Sequence, residues 1–189
     1  PRTASHIATK LSKHFIADDP PIEAIEFIAD AYMKSKGDLI VIHQATVDAV
    51  LKFGDDYAKF LQPEIWYFQI HRAVGGYLPL GFDGKTDDQR SRQVNSTLLE
   101  LGHLNCRTPQ PNGWSDLAVD WLTPEMMDRR VRYVGQLANK LRREKSFDPY
   151  LYADKVFGEG SSGAQYVAGA PNYKHACIRL FCHPDFMRA

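Results

Sequence analysis

Apolar residues recur three to four positions apart along most of the chain, the spacing that places them on one face of an α-helix. In residues 4–16 the repeat consists of Ile7, Leu11 and Phe15, at four-residue intervals. Convincing two-residue alternation, the mark of a strand, is absent apart from an ambiguous Ile-Val-Ile run at 40–42. The pattern therefore predicts an all-α fold.

Prolines, glycines and capping residues divide the apolar stripes into separate helices. Asp38 and Thr123 are predicted N-caps, Pro21 and Pro63 predicted first residues, and glycines such as Gly37 predicted stops. The predicted helices cover 4–16, 21–36, 38–53, 63–74, 87–101 and 124–143, and a last helix opens at Pro171 and Asn172 and runs through Phe181 to C-H-P-D-F. A shorter helix is predicted before Trp121, and a short helix or packed turn within 147–157. In the second and third, the predicted inner residues are Ile22, Ile25, Ala29, Tyr32, Met33, Leu39, Ile42, Ala49, Val50 and Phe53.

These elements predict an irregular bundle of about seven to eight helices joined by long connectors rich in proline and glycine. The length of the chain suits a single helical domain spanning residues 1–189. Residues 146–170 are expected to be a loop-rich insertion, because G-E-G-S-S-G at 158–163 has the composition of a flexible loop. Since the first residue is Pro1 and the helical pattern starts at once, we expect a fragment of something longer.

Composition narrows the classes of protein to consider. Lys and Arg together number 23, as do Asp and Glu, so the formal net charge is zero. This balance disfavours a nucleic-acid-binding protein, because such proteins carry a basic excess. The basic residues of R-R-V-R-Y at 129–133 are interpreted as the solvated face of an amphipathic helix. The sequence contains no apolar run of the ~18 residues that a transmembrane helix needs.

Three cysteines, an odd number, do not suggest a disulfide framework. Bridges Cys177–Cys182 or Cys106–Cys182 are conceivable, but buried free thiols are favoured. The one cluster of soft metal ligands combines Cys177 and Cys182 with His183, and its spacing matches no standard site. We therefore predict neither a metal nor a cofactor.

Catalytic motifs are weak in this sequence. There is no G-x-S-x-G elbow, and the most suggestive nucleophile and base are Cys106 and His103, with Arg107 beside the thiol. The favoured interpretation makes His103 a cation at a helix C-terminus and Cys106 a filler of space. Whether the protein is an enzyme stays open.

The stretch R-T-P-Q-P-N-G-W-S-D at 107–116 is the strongest candidate for a ligand-binding or catalytic loop. Its candidate ligand-binding residues are Arg107, Asn112, Trp114 and Asp116. Two prolines and an Asn-Gly turn also suit a structural bend that Trp114 and Trp121 fasten to the core. The structural interpretation is favoured over the ligand site.

Four segments carry a family resemblance. They are H-I-A-T-K-L-S-K-H-F-I-A-D-D-P-P at 6–21, K-F-L-Q-P-E-I-W-Y-F-Q-I-H-R-A-V-G at 59–75, P-Q-P-N-G-W-S-D-L-A-V-D-W-L-T-P at 109–124 and L-F-C-H-P-D-F-M-R at 180–188. Together they resemble the bacterial family called domain of unknown function 1800. The resemblance implies the C-terminal part of a larger, helical, frequently exported protein, and it brings no catalytic residues. At the Asp-Asp-Pro-Pro corner, Asp19 is expected to cap the next helix.

The sequence supports two hypotheses of function. The first is a non-catalytic helical module with a structural, partner-binding or ligand-binding role, whose partner is unknown and could be the N-terminal part of its own full-length chain. The second is part of a hydrolase-like enzyme whose site lies between this region and such an N-terminal part. If the first holds, segment 107–121 should be mostly buried, with its polar groups bonded within the chain.

Overall fold

The computed structural model describes residues 1–54, 59–75, 87–104, 107–108, 111 and 113–188, with only the backbone of Asp87 and Arg90. All regular structure in these ranges is helical: α1 Arg2–Phe15, α2 Ile22–Lys34, α3 Leu39–Phe53, α4 Pro63–Ala73, α5 Asp87–Glu100, α6 Ala118–Trp121, α7 Pro124–Glu144, α8 Pro149–Phe157, α9 Ser162–Ala168 and α10 Tyr173–Phe181. The predicted all-α fold is confirmed, and the helices in the described ranges slightly exceed the expected seven to eight. Within those ranges, no helix is both long and apolar enough to cross a membrane.

Side-chain caps fix several helix starts where the sequence predicts them. The Asp38 carboxylate accepts a hydrogen bond from the backbone N–H of Ile40 at 2.9 Å. The Thr123 hydroxyl accepts one from the N–H of Met126 at 3.4 Å. Each bond satisfies an N–H that the first helical turn leaves without a partner.

The start of α2 differs from expectation. Pro21 is the N-cap of this helix and no side chain caps it, so the predicted role of Asp19 is wrong. Pro20 and Pro21 separate Asp19 from Ile22, which puts its carboxylate too early in the chain to reach the first free N–H groups.

Two helices lie within residues 146–170, the range expected to be rich in loops. Asp148 caps α8 by accepting hydrogen bonds from the N–H groups of Tyr150 and Leu151 at 2.9 and 3.2 Å. Ser161 caps α9 by accepting from the N–H of Ala164 at 3.2 Å. Because Ser161 caps α9, the glycine-rich segment 158–163 leads directly into that helix.

The chain divides into two compact units. Unit 1 comprises Pro1–Phe60, Asp116–Ala118 and Arg188, and unit 2 comprises Leu61–Ser115 and Val119–Met187. In unit 1, α1 and α3 both pack against α2 and also contact each other. Their shared core is small: Ala8, Ile16, Ala24, Ile28, Ile42 and Ala49.

The predicted inner stripe of α1 is wrong in part. Ile7 and Phe15 are 36% and 52% exposed, and the buried residues of α1 are Ala4, Ala8 and Ser12. Small side chains allow closer helix packing, so the alanine-rich face of α1 turns inward. Three further residues expected inside are instead exposed: Ile22, Met33 and Leu39.

Unit 2 is built around aromatic and branched side chains. α10 packs against α7, α8 and α9, and α8 packs against α9. Trp66 of α4 is fully buried, and its indole N–H donates to the carbonyl of Phe181 at 2.8 Å. This bond links positions 115 residues apart in sequence and fixes α4 to the end of α10.

Candidate functional site

In unit 1, residues from three of the four family-like segments form one hydrogen-bonded cluster. The Lys59 ammonium donates to Asp18 Oδ1 at 2.5 Å and also to the backbone carbonyl of Asp116. The backbone N–H of Ala118 donates to Asp18 Oδ2 at 2.6 Å. His14 Nδ1 lies 2.6 Å from Asp116 Oδ1. We call these five residues the polar clamp, because they tie 116–118 to the end of α1.

Residues from the fourth segment also reach the clamp. Arg188 forms an isolated antiparallel bridge with Phe60, the neighbour of Lys59. Its positive charge also acts on Asp18. All four family-like segments therefore contribute to the same part of unit 1.

The ionisation of Asp18 reflects this setting. Burial alone raises the pKa of a carboxyl group, but the hydrogen bonds from Lys59 and Ala118 and the charges of Lys59 and Arg188 outweigh it. The pKa of Asp18 is thus lowered below its ordinary value. Asp18 is a carboxylate near neutral pH, with both oxygens accepting hydrogen bonds. Such a group holds structure together better than it accepts a proton from a substrate.

The structure describes three of the four candidate ligand-binding residues. Asp116 is partly buried in the polar clamp, whereas Arg107 is exposed in unit 2. Trp114 is partly buried in unit 2, where its indole N–H donates to the carbonyl of Leu104 at 3.2 Å. Asn112 lies outside the described residues.

An aromatic cluster in unit 2 combines Trp114 with His103 and Trp121. The His103 ring is 2% exposed, and its centroid lies 5.0 Å from that of Trp114 and 5.3 Å from that of Trp121. The indole N–H of Trp121 donates to the carbonyl of Ser115 at 2.8 Å. The same carbonyl accepts from the Gln62 amide at 3.0 Å. Segment 107–121 is nevertheless not mostly buried: among its described residues Trp121 alone is buried and six are exposed, so the expected burial of this segment is wrong.

His103 is not the helix-terminal cation that its position suggested. Burial and the positive charge of Arg130 lower the pKa of His103, so its ring is neutral at pH 7. Its Nδ1 is 3.9 Å from the Glu64 carboxylate and has no hydrogen-bond partner among the described residues. The proposed pairing with Cys106 involves a residue outside the described ranges.

Arg130 also departs from the sequence-based interpretation, which placed it on a solvated helix face. It is 1% exposed, donates to the carbonyl of Leu61 at 2.7 Å and stacks over the Trp66 ring at 4.9 Å. Burial lowers its pKa to about 10, so it remains charged at neutral pH. Helical periodicity could not distinguish this arginine from its solvated neighbours.

The soft-ligand cluster does not assemble. Cys177 and Cys182 are free thiols, and burial raises the pKa of each to about 12. His183 instead accepts a hydrogen bond from the N–H of Asp185 at 3.2 Å. Across the described part of the chain, no three His, Cys, Asp or Glu side chains come together as a metal site would require.

Asp18 and Lys59 are the residues that sequence reasoning missed. In the Asp-Asp-Pro-Pro corner a role was predicted for Asp19 and none for Asp18, and Lys59 received no role either. The available signal was their presence in two different family-like segments, which suggests that the segments contact each other.

A family model described as "Protein of unknown function (DUF1800)" matches residues 1–186. No curated protein matches the chain. No solved structure matches it either. Since the family match covers almost the whole sequence, the chain belongs to the DUF1800 family of proteins of unknown function.

Proposed function

We propose that this chain is a non-catalytic helical module with a structural and partner-binding role in a larger exported protein. One observation carries the non-catalytic part: the family-like segments direct their polar side chains at one another in the polar clamp. Both oxygens of Asp18 and the carbonyl of Asp116 accept hydrogen bonds from within unit 1. A carboxylate acting as general acid or base must reach the proton that it transfers, whereas both Asp18 oxygens are bonded to groups of the chain itself.

The alternative, a hydrolase-like site lined by Arg107, Trp114 and Asp116, has less support. Trp114 and Asp116 are bonded within the chain, and of the three only Arg107 is exposed. The two proposals differ in what Asp116→Asn should do. In the module it weakens a contact with His14 and lowers stability slightly. In an enzyme it abolishes turnover while leaving stability unchanged.

The partner-binding part is supported by the outer face of α3. Ile40, Val47 and Leu51 are 81%, 54% and 80% exposed. With Gln44 they recur at intervals of four, three and four residues, the spacing of a helix–helix seam. An exposed stripe that is apolar at three of its four positions suits a protein contact. We therefore propose an amphipathic helix of another polypeptide segment as the occupant.

Site-specific photo-crosslinking in the full-length protein tests the contact. A photoreactive residue at position 51 should crosslink to a segment whose sequence has an apolar helical stripe. The same residue at exposed Glu26 on α2 serves as the control and should give no such product. Equal crosslinking at both positions, or products confined to a second copy of this chain, would contradict the proposal. Export, which rests on the family resemblance, is tested by fractionating cells that express the full-length protein.

A further inference from the structure

A cavity of about 490 Å³ lies within unit 2, between α7 and the end of α5. The α7 wall comprises Glu125, Arg129, Arg132, Tyr133 and Gln136, which fall on one face of the helix. The α5 side supplies Glu100 and Leu101. The volume falls within the range typical of small-molecule sites.

Several of these polar groups are already fixed by neighbours. Arg129 donates to the carbonyl of Glu100 at 2.9 Å and to the Glu125 carboxylate at 2.6 Å. The Tyr133 hydroxyl lies 2.7 Å from Nε2 of His71, which is 5% exposed. These bonds hold the wall in place before any ligand arrives, which reduces the entropic cost of binding.

The lining of the cavity disfavours anionic ligands and purely apolar ligands. Arg129 pairs with Glu125 and Arg132 pairs with Asp128, so each arginine already has a carboxylate partner. Glu100 then adds a negative charge that repels phosphate and carboxylate ligands. A purely apolar ligand is also disfavoured, since binding it would strip water from these polar groups without replacing the hydrogen bonds.

Free hydrogen-bonding capacity of both kinds remains at the cavity. The Glu100 carboxylate and the Gln136 amide make no hydrogen bond to the described residues, and both are exposed. Glu100 can only accept, whereas Gln136 can donate and accept. A sugar hydroxyl also does both, so neighbouring hydroxyls can satisfy this mixture without bringing a charge.

We propose that this cavity binds a neutral carbohydrate of one or two rings, with Glu100 and Gln136 as its hydrogen-bonding contacts. This assignment is independent of the module function proposed above. A structural module can carry such a site, and loss of the site would leave the polar clamp unchanged.

Saturation-transfer NMR and titration calorimetry on the 189-residue chain test the assignment, using maltose, cellobiose and N,N′-diacetylchitobiose as probes. At least one probe should bind, and Gln136→Ala and Glu100→Ala should each weaken it about tenfold, as loss of one hydrogen bond to the sugar predicts. The matched controls, Asn139→Ala and Glu144→Ala, alter exposed residues outside the cavity lining and should bind as wild type.

Three results would overturn the assignment: no binding of any probe at millimolar concentration, binding that the two cavity variants leave unchanged, or binding of inorganic phosphate in place of the sugars. Because Glu100 and Gln136 are exposed, their variants are expected to fold. Circular dichroism confirms this before binding is compared.

Discussion

The Asp18→Asn substitution isolates the charge of the polar clamp while keeping the shape of the side chain. Asparagine can still accept the hydrogen bond from Ala118, but the Lys59 ammonium loses its carboxylate. Lys59 is 15% exposed and keeps only the Asp116 carbonyl as an acceptor in the clamp. A partly buried charge without its counterion is unfavourable, so the fold should lose stability.

The magnitude follows from the contacts. Hydrogen bonds to charged groups contribute about 1.5–3 kcal/mol. Since Asp18 is 32% exposed and solvent screens part of the interaction, we expect a loss of about 1–2 kcal/mol. For a chain of this length that loss lowers the melting temperature by roughly 2–8 °C. Thermal unfolding followed by circular dichroism measures it.

The pH dependence gives a second, more specific signature. The pKa of Asp18 is lower in the folded than in the unfolded chain, so the clamp stabilises the fold fully above about pH 5. Its contribution falls as pH drops through the unfolded value near 3.9 and then through the folded value. The asparagine side chain of the variant does not titrate, so the variant and the wild type should converge in stability at acid pH.

The neighbouring substitution Asp19→Asn is the control. Asp19 is exposed and makes no hydrogen bond to the described residues, so its loss should change stability by less than about 0.5 kcal/mol. Equal stability of the two variants near neutral pH would refute the clamp. So would a gap between Asp18→Asn and wild type that stays constant as the pH falls from about 5 to about 3.

Substitutions at Trp121 and Thr123 and the alkylation of two cysteines also test the fold. Trp121→Phe removes the hydrogen bond to Ser115 but keeps an aromatic ring, and should cost about 1 kcal/mol in a urea-unfolding measurement. Thr123→Ala removes the cap of α7 and should cost ~1 kcal/mol by the same measurement, with Thr123→Ser restoring most of it. Cys177 and Cys182, with pKa values of about 12, should resist alkylation at pH 8 until the chain unfolds, as peptide mass spectrometry can show.

Capping residues and prolines predicted the helix starts well, because each acts on the backbone within a few residues of itself. Asp38 and Thr123 cap the helices they were expected to cap, and Pro63 opens α4 as the first helical residue. A cap or a proline restricts its own backbone, so no knowledge of the rest of the fold is needed.

Helix orientation was less predictable, because packing decides it. Size and hydrophobicity placed Ile7 and Phe15 inside, but α1 buries its alanines instead. Arg130 is buried because a carbonyl from residue 61 and the Trp66 ring are there to receive it. Neither partner is visible in the local sequence. The clamp was missed for the same reason, since it joins residues 41 to 102 positions apart.

The polar clamp also bears on the order in which the protein is completed during synthesis. Asp18 binds the N–H of a residue 100 positions later. When α1, α2 and α3 emerge from a ribosome, Lys59 follows soon afterwards, but Ala118 does not yet exist. The N-terminal helices can associate early through their local contacts. Their full stability must wait until Ala118 has been translated, and until then proteases and chaperones have easier access to them than in the finished fold.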